Sequence, residues 1–144
     1  MMFYCDRTWA ISSVSFSGGF LDGHRFDLSH GFNCAIGSRG TGKTTFLELV
    51  RFALGAEPKN TAAKKRIDAI VKGNLGGGRV QVKVRTNDGR TYQISRSPGE
   101  EPVVLDAQGE PTSFAPQTDG FFKVCVFSQN EIEMIADRQV RRHR

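Results

Sequence analysis

Valines at 80, 82 and 84 alternate with Gln81, Lys83 and Arg85, and Tyr92 and Ile94 resume the apolar face after Asn87-Asp88-Gly89. A period of two with a polar-glycine break predicts a β-hairpin over 79–95. A looser alternation over 8–16 offers Trp9, Ile11, Val14 and Phe16 to a core, and Ser17-Gly18-Gly19 ends it. Residues 25–28 and 103–105 predict two further short strands, closed by His30-Gly31 and by Asp106-Ala107-Gln108-Gly109. Elsewhere the period changes to that of a helix. Phe46, Leu47, Leu49, Val50, Ala53 and Leu54 cover much of a helix over 45–54, which stops at Gly55 and should be largely buried. Ala63, Ile67, Ile70 and Val71 share one face of a helix over 61–72, leaving Lys64, Lys65 and Lys72 toward solvent. Two short continuous apolar runs, 32–36 and 124–127, read as buried strands, and Cys34 and Cys125 within them as buried reduced thiols.

Between the first apolar run and the first helix stands Gly37-Ser38-Arg39-Gly40-Thr41-Gly42-Lys43-Thr44, a complete Walker A sequence. Strand, glycine loop and helix together form a phosphate-binding unit. The glycines let backbone N–H groups point inward, and the positive end of the helix adds to that nest. Lys43 can reach the β- and γ-phosphate oxygens, and the Thr44 hydroxyl is a hard ligand suited to Mg²⁺. Residues 37 to 44 with Thr45 are therefore the candidate Mg-ATP site. The plain alternative is a glycine-rich turn that binds nothing.

The second apolar run, Val124-Cys125-Val126-Phe127, ends in Ser128-Gln129-Asn130-Glu131. A Walker B strand would end in a carboxylate. Here the strand ends in an amide, Gln129, whose carbonyl oxygen can ligate Mg²⁺ weakly and sense a γ-phosphate. A polar helix cap is the alternative, since Ile132, Ile135 and Ala136 suggest a helix start.

The order of strand pair, residues 32–36, G-S-R-G-T-G-K-T-T, buried helix, valine hairpin and V-C-V-F-S-Q-N-E resembles the N-terminal lobe of ABC-type ATPases of the SMC, RecF and RecN group. Arg39 departs from the asparagine often found in that group. The resemblance implies an α/β P-loop NTPase lobe with a mixed sheet and an antiparallel β-hairpin arm. It implies that Lys43 grips phosphates, that Thr44 binds Mg²⁺ and that Gln129 is the Q-loop glutamine with a metal and catalytic role. Residues 1–144 would form one lobe running from Walker A to the Q-loop, cut off near the start of a coiled coil. The partners implied are a C-terminal lobe carrying the signature and Walker B motifs, a second head in a homodimer, DNA, and an effector nuclease. Such proteins act in DNA repair, chromosome structure and phage defence. Leu75-Gly76-Gly77-Gly78 is not the signature sequence, because its serine is missing and it precedes the hairpin.

The 144 residues suffice for one domain or one lobe of a larger one; 38% are hydrophobic and 11 are Phe, so a core is possible. No apolar run reaches the length of a membrane span, and residues 1–6 do not read as a secretory leader, which predicts a cytoplasmic protein. Three widely spaced cysteines match neither zinc nor thioredoxin spacing. The net charge of +5 permits a phosphate-rich partner. Lys64, Lys65 and Arg66, then Lys83 and Arg85, are the candidate DNA contacts; Arg141-Arg142-His143-Arg144 is a further basic stretch. Two other functions compete. One is a different P-loop enzyme such as a nucleotide kinase, a GTPase being disfavoured by the lack of an Asn-Lys-x-Asp sequence. The other is a nucleotide-dependent scaffold without turnover. ATPase activity is expected of the complete assembly and not of this chain alone, which carries no acid after Phe127.

Overall fold

The valine alternation builds the middle of a sheet. A computed structural model describes residues 2–5, 9–116 and 124–127. Its elements in chain order are β1 (Met2–Cys5), β2 (Trp9–Ser17), β3 (Arg25–Asp27), α1 (Lys43–Ala53), α2 (Thr61–Leu75), β4 (Arg79–Thr86), β5 (Thr91–Arg96), β6 (Val103–Leu105) and β7 (Val124–Phe127). Five of the strands form one sheet in the order β3-β2-β4-β5-β6. Val80, Val82 and Val84 face Phe16, Val14 and Ile11 across β2, and Arg96, Ile94 and Tyr92 across β5. Ile11 and Val14 are an odd number of residues apart and should point to opposite faces. A bulge at Ser12 resets the register and returns both to the core face.

Both helices cover this apolar face. Leu49, Phe52, Ala53 and Leu54 of the α1 region pack into one cluster with Val71 and Leu75 of α2 and the three valines. α1 ends in a Schellman motif: Ala56 N–H donates to Arg51 O, Gly55 N–H donates to Phe52 O, and Gly55 has a φ of 66°. Asn60 starts α2 by accepting from Ala62 N–H at 2.8 Å. Near the other end of α2 two backbones cross in contact. A Cβ on Gly19 would stand 1.8 Å from Asn74 O, and one on Gly78 would stand 2.1 Å from Ser17 O, so no side chain fits at either place.

A charged tie joins the sheet to both helices. The Arg96 side chain, 9% exposed, meets Glu57 at 3.0 Å, and Glu57 meets Lys64 at 2.9 Å. Burial works against the Glu57 charge, but the Lys64 hydrogen bond and the Arg96 charge prevail and hold its carboxyl below the ordinary 4.5. A depressed folded-state value stabilises the fold above the ordinary carboxylate range, and that contribution is lost as pH falls through the depressed value. Glu57→Gln should therefore lower stability at neutral pH and flatten its decline into acid. Urea midpoints at neutral and acid pH check this; parallel declines in variant and wild type would refute it.

Three expectations need correction. The sheet is not mixed: every strand pair among the described residues is antiparallel. The hairpin of β4 and β5 is not an appended arm, since it is the platform on which α1 rests. Residues 32–36 form no strand, and Phe32 and Ile36 are 87% and 92% exposed. The cause of the last is local. The Asn33 side chain accepts from Ser29 N–H at 2.8 Å and donates to Ser29 O at 3.0 Å and Gly31 O at 3.2 Å. Those bonds curl the backbone away from a ladder. Cys34 is consequently exposed rather than buried. Cys125 is exposed too, because β7 pairs only with β1 in a two-stranded sheet. The strands expected at 25–28, 79–95, 103–105 and 124–127 and both helices form, with ends shifted by a few residues. Among the described residues no helix is long and apolar enough to cross a membrane.

Candidate phosphate-binding site

Gly42 makes the junction between loop and helix. It is the N-cap of α1 with φ 88° and ψ 11°, a left-handed conformation that favours glycine, and Gly40 shares it at φ 83°. No side chain caps the helix, and its first turn holds no acidic residue. The first backbone N–H groups of α1 are thus not covered by a capping oxygen, and the positive end of the helix dipole is left for an anion.

Lys43 folds back over the loop that precedes it. Its Nζ donates to Gly37 O at 2.6 Å, Ser38 O at 2.6 Å and Thr41 Oγ1 at 3.2 Å. Thr41 Oγ1 in turn donates to Ser38 O at 2.8 Å. The two short bonds fix the ammonium against the loop backbone. A phosphate oxygen can replace the longer third one, because an ammonium has three donors and an anionic acceptor makes the stronger bond. Thr44 is exposed on the first turn of the helix, and Ser38, Arg39 and Thr41 also face solvent. The donor set fits a polyphosphate: the N–H groups of an uncapped helix start and one ammonium beside them. A single hydroxyl ligand at Thr44 suits Mg²⁺, which keeps most of its waters and takes further oxygens from bound phosphates. Among the described residues no group of three or more His, Cys, Asp or Glu is placed to hold a metal by itself.

Residues 37 to 45 thus come together at one end of α1. Gln129 lies outside the described residues, as do Glu131 and Arg141 to Arg144. The basic candidates separate. Lys64, Lys65 and Arg66 lie exposed on α2, on the helical side of the sheet, and Lys64 is engaged by Glu57. Lys83 and Arg85 alternate with the buried valines and so lie on the face opposite the helices. Arg79 and Arg25 share that face, held by Glu100 at 3.5 Å and Asp27 at 2.9 Å.

Sequence reasoning passed over Phe20. Its ring is 68% exposed, and a Cβ built on Gly42 would lie 3.5 Å from its Cε1. Its position after Gly18-Gly19 signals a turn and nothing more. A family model described as an AAA domain matches residues 15–133. No curated protein and no solved structure matches the chain.

Proposed function

The chain belongs to the AAA-domain family of P-loop ATPases, and on that premise we propose that it is the Mg-ATP-binding half of an SMC- or RecF-like ATPase head that acts on DNA. The observation that carries the nucleotide part is the uncapped, acid-free N-terminus of α1 with Lys43 held across the loop before it. Lys43 binds the β- and γ-phosphates, the loop N–H groups of residues 38 to 44 cradle them, and Thr44 and Gln129 supply oxygens to Mg²⁺. The metal neutralises phosphate charge; the residues of this chain hold and orient the nucleotide.

The exposed Phe32 and Ile36, directly before the loop, support an incomplete site. Apolar side chains so open to water are what a C-terminal lobe would cover. That lobe would bring the signature and Walker B motifs, and ATP would join two heads. DNA would lie on the sheet face opposite the helices rather than on α2. Among the described residues no ion pair engages Lys83 or Arg85, and Gln81 and Gln93 beside them can add phosphate hydrogen bonds without base reading.

Titration of duplex DNA at two salt concentrations tests this. Log affinity should fall by ~0.9 per neutralised phosphate for each decade of salt. Lys83→Glu with Arg85→Glu should weaken binding and reduce that slope, while Lys65→Glu with Arg66→Glu should change little. The reverse ranking, or binding insensitive to salt, would remove the sheet face from the proposal. A nucleotide kinase or a scaffold without turnover remains the competing function, and brisk hydrolysis by this chain alone would favour another P-loop enzyme.

A further inference from the structure

Two cations stand in the glycine loop, and only one of them is tied down. Lys43 Nζ is bonded to Gly37 O and Ser38 O. Arg39, the residue after Ser38, is exposed, and among the described residues no ion pair engages its guanidinium. Between Asp27 and Glu48 the chain has no acid, and Glu48 is buried on α1. Like charges on one short loop repel, and an anion between them relieves that cost.

The loop gives the Arg39 side chain a fixed base and open space ahead. Gly37 and Thr41 close on each other, since a Cβ on Gly37 would stand 2.7 Å from Thr41 Oγ1. Ser38 O, one peptide before Arg39, accepts from both Lys43 Nζ at 2.6 Å and Thr41 Oγ1 at 2.8 Å. On the other side Gly40, with φ 83°, has no described atom within 4 Å of where a Cβ would stand. The backbone under Arg39 is pinned while its guanidinium is not.

The donors can be counted against a terminal phosphoryl group, which presents three oxygens. Lys43 has one donor left for it, because two are spent on loop carbonyls. Thr44 is placed for a Mg²⁺ that would share a second oxygen. The third needs a donor, and a guanidinium fork suits it better than a point charge.

We propose that the Arg39 side chain binds the terminal phosphate of a nucleoside triphosphate and makes the site prefer triphosphate over diphosphate. This rests on the phosphate-site reading above. Lys43 and the loop N–H groups hold what ATP and ADP share, and Arg39 holds what only ATP has.

Affinities for ATP and ADP, each with Mg²⁺, are measured by calorimetry for wild type, Arg39→Ala, Arg39→Lys and Lys43→Ala. Arg39→Ala should lose about tenfold for ATP and leave ADP nearly unchanged, so that the preference for ATP falls by the same factor. Arg39→Lys keeps the charge without the fork and should restore a part. Lys43→Ala should weaken both nucleotides. Unchanged ATP affinity in Arg39→Ala, or an equal loss for ADP, overturns the terminal-phosphate contact and leaves the phosphate site standing. A wild-type chain that binds neither nucleotide overturns both.

Discussion

Replacing Lys43 with alanine should cost this chain most of its affinity for Mg-ATP while leaving its thermal midpoint nearly unchanged. Two separate facts lead to that pairing of outcomes. Among the described residues the ammonium bonds to the loop before it, at Gly37, Ser38 and Thr41, and Lys43 is not in the core cluster. Its removal therefore leaves no cavity and no buried unpaired group. Toward a polyphosphate it supplies one or two charge-assisted bonds of ~1.5–3 kcal/mol each. At ~1.4 kcal/mol per decade, one such bond is about tenfold to a hundredfold, and two correspondingly more. The helix end and the loop N–H groups survive the substitution, so weak binding should persist. Calorimetry beside a melting curve reads both quantities. Equal affinity in wild type and variant would sink the phosphate assignment, whereas a large drop in midpoint would make Lys43 a structural residue.

Arg96→Ala should have the opposite profile, with a large loss of stability. One guanidinium serves three backbone segments at once. It donates to Phe52 O at 2.8 Å near the end of α1, to Glu100 O at 2.8 Å after β5, and pairs with Glu57 at 3.0 Å before α2. Its central carbon also stands 4.2 Å above the Phe52 ring. Truncation takes from the buried Phe52 carbonyl its guanidinium donor, leaving it Gly55 N–H, and removes a partner from the Glu57 carboxylate. Breaking a buried pair in this way costs ~3–5 kcal/mol. The Glu57 side chain keeps 22% of its exposure, so water can rescue part of its charge and the lower end applies. About 3 kcal/mol is a large share of the ~5–15 kcal/mol that holds a domain together. Urea denaturation of Arg96→Ala and Arg96→Lys checks it. Lysine lacks the planar fork and should restore only a part. A loss below about 1 kcal/mol for Arg96→Ala would show that the tie contributes little.

What the sequence made legible follows from the range of the forces involved. The hairpin was readable because alternation at 80–84 and the Asn-Asp-Gly turn are local signals that tertiary packing did not override. The glycine loop was readable because its chemistry is contiguous. Residues 32–36 misled because a short apolar run states only that burial would be favourable. It does not say whether a neighbouring strand exists, and Asn33 supplied a competing local turn. The pairing of β1 with β7 joins the two ends of the described chain and leaves no sequence trace. Arg96 carried no sequence signal, since two of its partners, Phe52 and Glu57, come from distant segments. Both basic clusters were candidate DNA contacts, and only the sheet sets Lys83 and Arg85 on the side away from the helices. Phe20 drew no notice because its exposure depends on a backbone crossing at Gly19 and Asn74.

The edges of the five-stranded sheet bear on how the molecule meets its neighbours. β3 is three residues long, lies at the surface, and carries the Arg25–Asp27 pair. At the other side the chain returns past β6, where Pro111 bridges Leu105 and Thr112 N–H donates to Val104 O at 2.7 Å. A short charged edge and a proline-guarded one both discourage strand addition by another polypeptide. The stretch at 32–36 has neither protection. Its backbone lies outside any ladder, and its apolar side chains stand in water. The sheet thus resists sticking while the segment beside the glycine loop invites it. For the isolated chain this makes self-association a function of concentration. It also places that adhesive surface directly beside the glycine loop, so under the proposed function docking and ligand occupancy would influence one another.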